Sequence, residues 1–158
     1  MLEATASALR HEVQRFVRRF GLFADDRTPC GQPLTPREAH ALMLILGRER
    51  EHLPLVQKDL VADLGIDKSN VTRLVQSLTR AGRVERTSSE RDGRARVVQL
   101  TAKGRRLAQS VETASQQRFQ RLLDAIAPEQ RAAVVSAFAH LNQALAHNAA
   151  EAPHAMGQ

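Results

Sequence analysis

Lys68, Ser69, Asn70, Thr72 and Arg73 fall within one short stretch of chain. Their side chains are those that read nucleic-acid edges. Asn pairs with adenine and Arg with guanine through two hydrogen bonds each, while Ser and Thr reach phosphates or bases. Gln57 and Lys58 precede them by about ten residues and suit phosphate contacts. Arg91, Arg94 and Arg96 follow in a second basic cluster around Asp92 and Gly93. Of these, Arg94 best suits a minor groove, whose negative potential attracts guanidinium groups. The alternative reading, that such residues merely solvate a surface, is tested by how charge is distributed. Residues 68–106 hold 11 Lys/Arg against 3 Asp/Glu, whereas residues 1–67 hold 9 against 10 and residues 107–158 hold 3 against 4. The whole net charge of +6 therefore comes from one stretch, which predicts a localised positive surface and a polyanionic partner.

These residues need elements to carry them. Val56–Leu64 reads as a short helix ended by Gly65. Asp67 caps a second helix that runs to about Ala81, where Gly82 stops it. Two helices of this length joined by a Gly-containing turn form a helix-turn-helix. Leu60, Leu64, Ile66, Val71, Leu74, Val75 and Leu78 would pack them together. The second helix spans roughly 21 Å at the helical rise, enough to lie in a major groove. Val84–Thr87 and Ala95–Leu100 read as strands, with Asp92-Gly93 as the hairpin signal between them.

Around this motif the chain is helical. Leu2, Ala6, Leu9, Val13, Phe16, Phe20 and Phe23 recur at steps of four and three, one apolar seam kept for three heptads. Asp25–Pro33 is a loop. Thr35-Pro36-Arg37-Glu38 is a capping box with Pro at the first helical position. The helix it opens runs to about Glu51 and is apolar at Ala39 and Ala41–Leu46, as a central core helix must be. Leu53-Pro54-Leu55 suits a short edge strand. Thr101 caps a long helix to about Ile126, and Pro128 starts a last one bearing Val134, Phe138, Leu141 and Leu145. The fold class expected is mainly α with a small β-hairpin (α+β). It is divided into a winged helix-turn-helix at 34–101, dimerisation helices at 1–33 and 102–148, and a disordered tail at 149–158. The seams at both ends need a surface to bury against. A two-fold dimer supplies one, and packing within the protomer is the alternative.

Composition sets the remaining bounds. Cys30 is the single cysteine, so no internal disulfide forms and a reducing cytoplasm is expected. No apolar run reaches 18 residues and no signal-peptide pattern occupies Met1–Ala8, so no membrane partner is expected.

The run Asp59-Leu60-Val61-Ala62-Asp63-Leu64-Gly65-Ile66-Asp67-Lys68-Ser69-Asn70-Val71-Thr72-Arg73-Leu74-Val75, then Leu78, Gly82, Val84 and Arg86, resembles the MarR family of bacterial transcription regulators. The wing Arg91-Asp92-Gly93-Arg94 and the exit Val98–Gly104 fit the same family. The resemblance implies a winged-helix homodimer that binds pseudo-palindromic operators in double-stranded DNA and is released by a small molecule or an oxidant, and no cofactor is expected. It also implies that Asp92 orients a neighbouring arginine. Oxidant-responsive relatives place their cysteine in the first helix with tyrosine partners. This chain has no Tyr, and Cys30 sits in the loop. His40 stands where a zinc-sensing relative has a ligand, yet Ala102–Ile126 contains no His or Cys to complete a site. An enzymatic reading would take Cys30 as nucleophile and His11, His40 or His52 as base. No Gly-rich elbow, triad pattern or phosphate loop accompanies them. A winged helix serving protein or RNA contact is a third reading, which the basic hairpin and the groove-sized helix disfavour.

Overall fold

The computed structural model describes residues 5–23, 27–28, 31–88 and 96–151. Its elements are α1 (Ala6–Phe20), α2 (Pro36–Arg50), α3 (Gln57–Leu64), α4 (Lys68–Arg80), β1 (Val84–Ser88), β2 (Arg96–Leu100), α5 (Ala102–Asp124) and α6 (Pro128–Glu151). The chain forms two compact units, Met1–Gln116 and Gln117–Gln158.

In the first unit α2 is the axis of the core. Its start is fixed by the expected capping box: Thr35 Oγ1 accepts from the Glu38 amide at 3.2 Å, and Glu38 Oε2 accepts from the Thr35 amide at 3.2 Å. Leu42 and Ile45 are fully buried, as are Leu60, Val71, Val75, Leu78 and Val98 around them. Each such side chain contributes on the order of 1.5–3 kcal/mol by leaving water. The C-terminus of α2 closes without glycine. The Leu53 amide donates to Arg48 O at 2.9 Å and the His52 amide to Glu49 O at 3.1 Å, a Schellman pairing that puts His52 at φ 55°.

Helices α3 and α4 meet at Gly65, whose φ of 61° and bond to Val61 O turn the chain sharply. Val84–Ser88 pairs antiparallel with Arg96–Leu100, Val84 opposite Leu100 and Ser88 opposite Arg96. The edge strand expected at Leu53–Leu55 does not form. One bridge, Val56 to Val97, and one bond, Val98 N–H to Leu55 O at 2.9 Å, stand in its place. Pro54 has no N–H to offer a ladder. Further along β2, the Leu100 amide already donates to Glu49 Oε1 at 2.8 Å. A carboxylate from α2 thus occupies the place a third strand would need.

Thr101 holds the start of α5. Its hydroxyl accepts from the Gly104 amide at 3.0 Å and donates to Gly82 O at 2.8 Å, while its own amide donates to Arg83 O at 3.1 Å. Gly104 is buried there, and a Cβ on it would lie 1.8 Å from Arg83 O. Arg50 of α2 and Glu112 of α5 form a two-bond ion pair at 2.7 and 2.8 Å, which raises the guanidinium pKa and lowers the carboxyl. Being exposed, the pair adds little stability.

Helix α1 begins at Ala6, where Thr5 caps it by accepting from the Ala8 amide at 3.2 Å; Leu2 of the expected seam lies outside the described residues. It ends at Gly21 (φ 82°), before Phe23. It buries no residue, and Leu9, Val13 and Phe16 are exposed. In the second unit α6 continues to Glu151, past the expected start of a tail at 149. Its last turns are rich in alanine, the strongest helix former, which outweighs the nearby polar residues. Val135, Phe138 and Leu145 are exposed along it. Residues 152–158 lie outside the described part. Among the described residues no helix is long and apolar enough to cross a membrane.

Candidate nucleic-acid interface

The first turn of α4 is organised by Asp67. Its carboxylate accepts from the Asn70 amide at 2.9 Å, as an N-cap should, and from the Ser69 hydroxyl at 2.5 Å. The Asn70 side-chain amide donates to the other carboxylate oxygen. These bonds, the Ser69 hydroxyl first, hold the carboxyl pKa down at about 2. A fixed anion therefore sits among the neutral polar residues expected to read DNA.

Thr72 is similarly committed. Its hydroxyl donates to Lys68 O at 2.8 Å and accepts from Gln57 Nε2 at 2.7 Å. Gln57, expected as a phosphate contact, spends an amide donor clamping α3 to α4. Lys58 next to it is exposed. Lys68 and Arg73 are exposed on α4, and among the described residues their side chains make no hydrogen bond or ion pair. Arg96 is exposed at the start of β2. Arg91, Asp92, Arg94 and Cys30 lie outside the described residues.

The structure thus gathers Lys68, Ser69, Asn70, Thr72 and Arg73 on one helix end, with Gln57 and Lys58 beside them on α3. Four contributors were not picked out from sequence. Gln76 is exposed on α4, three residues beyond Arg73 and four beyond Thr72, and that helical spacing was available as a signal. Arg86 is exposed on β1. Asp67 was recognised as a cap but not as a partner of Ser69 and Asn70. Glu38 was recognised in its capping box, yet its Oε1 also accepts from Arg83 Nη1 at 3.3 Å and from Ser77 Oγ at 3.4 Å, tying α4 and the turn after it to α2. No local sequence signal announces a link between residues about forty apart.

Two open grooves flank this unit. One, of about 540 Å³, runs along α4 and is lined by Leu22, Arg37, Asn70, Arg73 and Ser77 among others. The other, of about 820 Å³, lies beside β2 and is lined by Arg48, Glu49, His52, Gln99 and Arg105 among others. In it Arg105 Nη1 approaches Glu49 Oε2 to 2.5 Å as an ion pair, although not aligned as a hydrogen bond. His40 is exposed on α2, and among the described residues no three His, Cys, Asp or Glu side chains gather as a metal site. His11 meets Arg15 Nη2 at 3.0 Å, and His52 occupies the turn after α2.

Comparison with known proteins matches residues 32–95 to the model of the MarR family. An uncharacterised HTH-type transcriptional regulator of Bacillus subtilis, YfiV, is 31% identical over 103 residues, which cover 65% of this chain and 64% of the relative. The match thus spans somewhat under two thirds of that protein. Among solved structures, a probable transcriptional regulator from Pseudomonas aeruginosa is 25% identical with a TM-score of 0.61, covering 89% of this chain and 99% of that one. The S. aureus MepR–DNA complex has a TM-score of 0.64 at 19% identity, covering 90% and 99%. Bordetella bronchiseptica BpsR, whose DNA binding is regulated by 6-hydroxynicotinic acid, has a TM-score of 0.63 at 23% identity, covering 89% and 94%.

Proposed function

We propose that the chain, whose residues 32–95 match the MarR family of winged helix-turn-helix transcriptional regulators, is a member of that family and a homodimeric repressor that binds pseudo-palindromic sites in double-stranded DNA and is released by a small effector. The observation that carries this reading is the exposed start of α4. There Lys68 and Arg73 stand beside Ser69 and Asn70 on the second helix of the motif, within the only strongly basic segment of the sequence. Residues 34–101 form the DNA-binding region. Residues 1–33 and 102–148 supply the dimer surface, as the exposed Leu9, Val13 and Phe16 of α1 support.

In this reading α4 enters the major groove. Arg73 approaches base edges, Lys68 and Lys58 neutralise phosphates, and Arg94, Arg91 and Arg96 of the wing meet the adjacent backbone or minor groove, with Asp92 supporting them. The cluster performs binding and not catalysis, and the protein works in the cytoplasm where its DNA is. Electrophoretic shift of duplex DNA at several salt concentrations tests it. Binding should fall linearly on a log–log plot with salt. It should also favour two half-sites centred roughly 34–36 Å apart over one. Equal affinity for a half-site and a full site, or for duplex and single strands, would overturn it. A thermal-shift screen with aromatic acids, metals and peroxides would show which class of effector is bound.

A further inference from the structure

Resting on the DNA-binding reading above, we propose that Asp67 is a positioning residue that makes the neutral side chains at the start of α4 read DNA as hydrogen-bond acceptors. The operator bases facing them should accordingly carry exocyclic amino groups. The argument begins with a donor inventory. A serine or threonine hydroxyl has one hydrogen to give. Ser69 gives its hydrogen to Asp67 and Thr72 gives its hydrogen to Lys68 O. Asn70 turns its amide nitrogen toward Asp67, so that its Oδ1, which meets no partner among the described residues, lies on the opposite edge of the amide group. What these residues leave for a ligand is oxygen lone pairs and one remaining Asn70 N–H, which lies beside the Asp67 carboxylate.

The carboxylate strengthens this bias. It is ionised far below neutral pH, since its pKa is held at about 2. An acceptor atom brought to the Asn70 nitrogen would therefore approach a full negative charge. In the major groove guanine shows N7 and O6 and thymine shows O4, all acceptors, whereas cytosine shows an N4 amino group and adenine an N6 amino group. Ser69 and Asn70 thus suit cytosine or adenine and disfavour guanine or thymine. Phosphate oxygens are disfavoured for the same reason. The cations Lys68 and Arg73 remain the outward donors of the helix, so guanine should appear opposite Arg73 and not opposite Asn70. One helix end divides into an acceptor patch and a donor patch, and Asp67 draws the boundary.

The test is selection from a randomised duplex library by the full-length protein, followed by affinity measurements on every single-base variant of the selected site. Wild type should select cytosine or adenine at the position facing Asn70, with guanine or thymine there weakening binding by about ten-fold or more. Asp67→Asn keeps an oxygen to cap the helix but removes the charge. It should bring guanine and thymine at that position to within a few-fold of the preferred base, without changing preference opposite Arg73. Asp67→Ser, which also caps, should do the same, and circular dichroism would show that both variants fold. In an Asn70→Ala background the Asp67→Asn change should no longer alter base preference. If Asp67→Asn changes affinity by the same factor for every base, Asp67 is only a cap or a charge, and the inference fails while DNA binding stands. If wild type selects no sequence from the library, the DNA-binding reading itself fails and takes the inference with it.

Discussion

Helices α1 and α2 are each 15 residues long and differ in what they hide. Helix α2 is apolar on several sides and buries Ala39, Ala41, Leu42, Ile45 and Leu46. Helix α1 has one narrow apolar seam with Arg10, Arg15, Arg18 and Arg19 elsewhere on it, and buries nothing; Leu9 is 54% exposed and Val13 39%. A clean stripe is often taken as the mark of a helix packed on its own core. Here the helix without a clean stripe makes the core, because neighbours surround it. The striped helix leaves Leu9 and Val13 of its seam exposed, which is where a second chain would pack. Helix α4 lies between these cases: Val71, Leu74, Val75 and Leu78 are buried while its other face is polar.

Removing side chains from the two seams should therefore produce different failures. Leu42→Ala opens the centre of the core and should cost about 2–5 kcal/mol. The denaturation midpoint should fall at every protein concentration. Leu9→Ala, a change of the same chemistry in α1, should act through the concentration dependence of the midpoint, as expected when association stabilises the fold. Equal effects of the two at all concentrations would erase the distinction.

A charge on the seam sharpens it further. Val13→Glu should yield protomers in sedimentation at micromolar concentration while keeping helical circular dichroism. Wild type that is itself monomeric under those conditions would show that the seam serves some other purpose.

The exposed face of α4 and the wing should divide in a related way. Arg73→Ala should cost about 1–3 kcal/mol on a cognate duplex and blur base preference. Arg94→Ala should weaken many sequences alike and lower the salt slope by about one. Titrations against cognate and scrambled duplexes at several salt concentrations separate these outcomes. An Arg94→Ala variant with unchanged affinity and slope would remove the wing from the DNA.

The smallest effect belongs to the end of α2. His52 occupies a left-handed position, φ 55°, that glycine adopts without steric cost. His52→Gly should raise stability by at most about 1 kcal/mol, read as a slightly higher melting temperature. A clear loss would mean that the imidazole ring contributes more than its backbone strain removes.

The helix-turn-helix was legible because its signals are local. Thr35, Asp67 and Thr101 cap, Gly65 turns, and Leu60, Val71, Val75 and Leu78 keep helical spacing, all readable within a few residues. The edge of the sheet was not. Its outcome depends on the Glu49 carboxylate reaching the Leu100 amide across 51 residues, and no short-range pattern encodes that. The site was legible as a set of residue types and less so as a set of available atoms. Sequence supplied Gln57, Ser69, Asn70 and Thr72 as donors or acceptors alike, but their intramolecular bonds had already used several of the donors. The far end of α6 was less legible: the helix runs to Glu151 on strongly helix-forming alanines although Pro153, His154 and Gly157 follow closely in the sequence.

Gly104 has a genetic meaning. The first turn of α5 lies so close to Arg83 O that no Cβ fits. Any single-nucleotide missense change of a glycine codon introduces a Cβ, so none is conservative at this position. The obstruction is main-chain carbonyl and not the end of a flexible side chain, so a rotamer change cannot relieve it. The residue lies on α5, in neither α4 nor α1. Loss-of-function alleles mapping to this codon would thus look, by location, unrelated to DNA or to association, although they dislodge the turn that holds the end of α4 and the start of β1 in place.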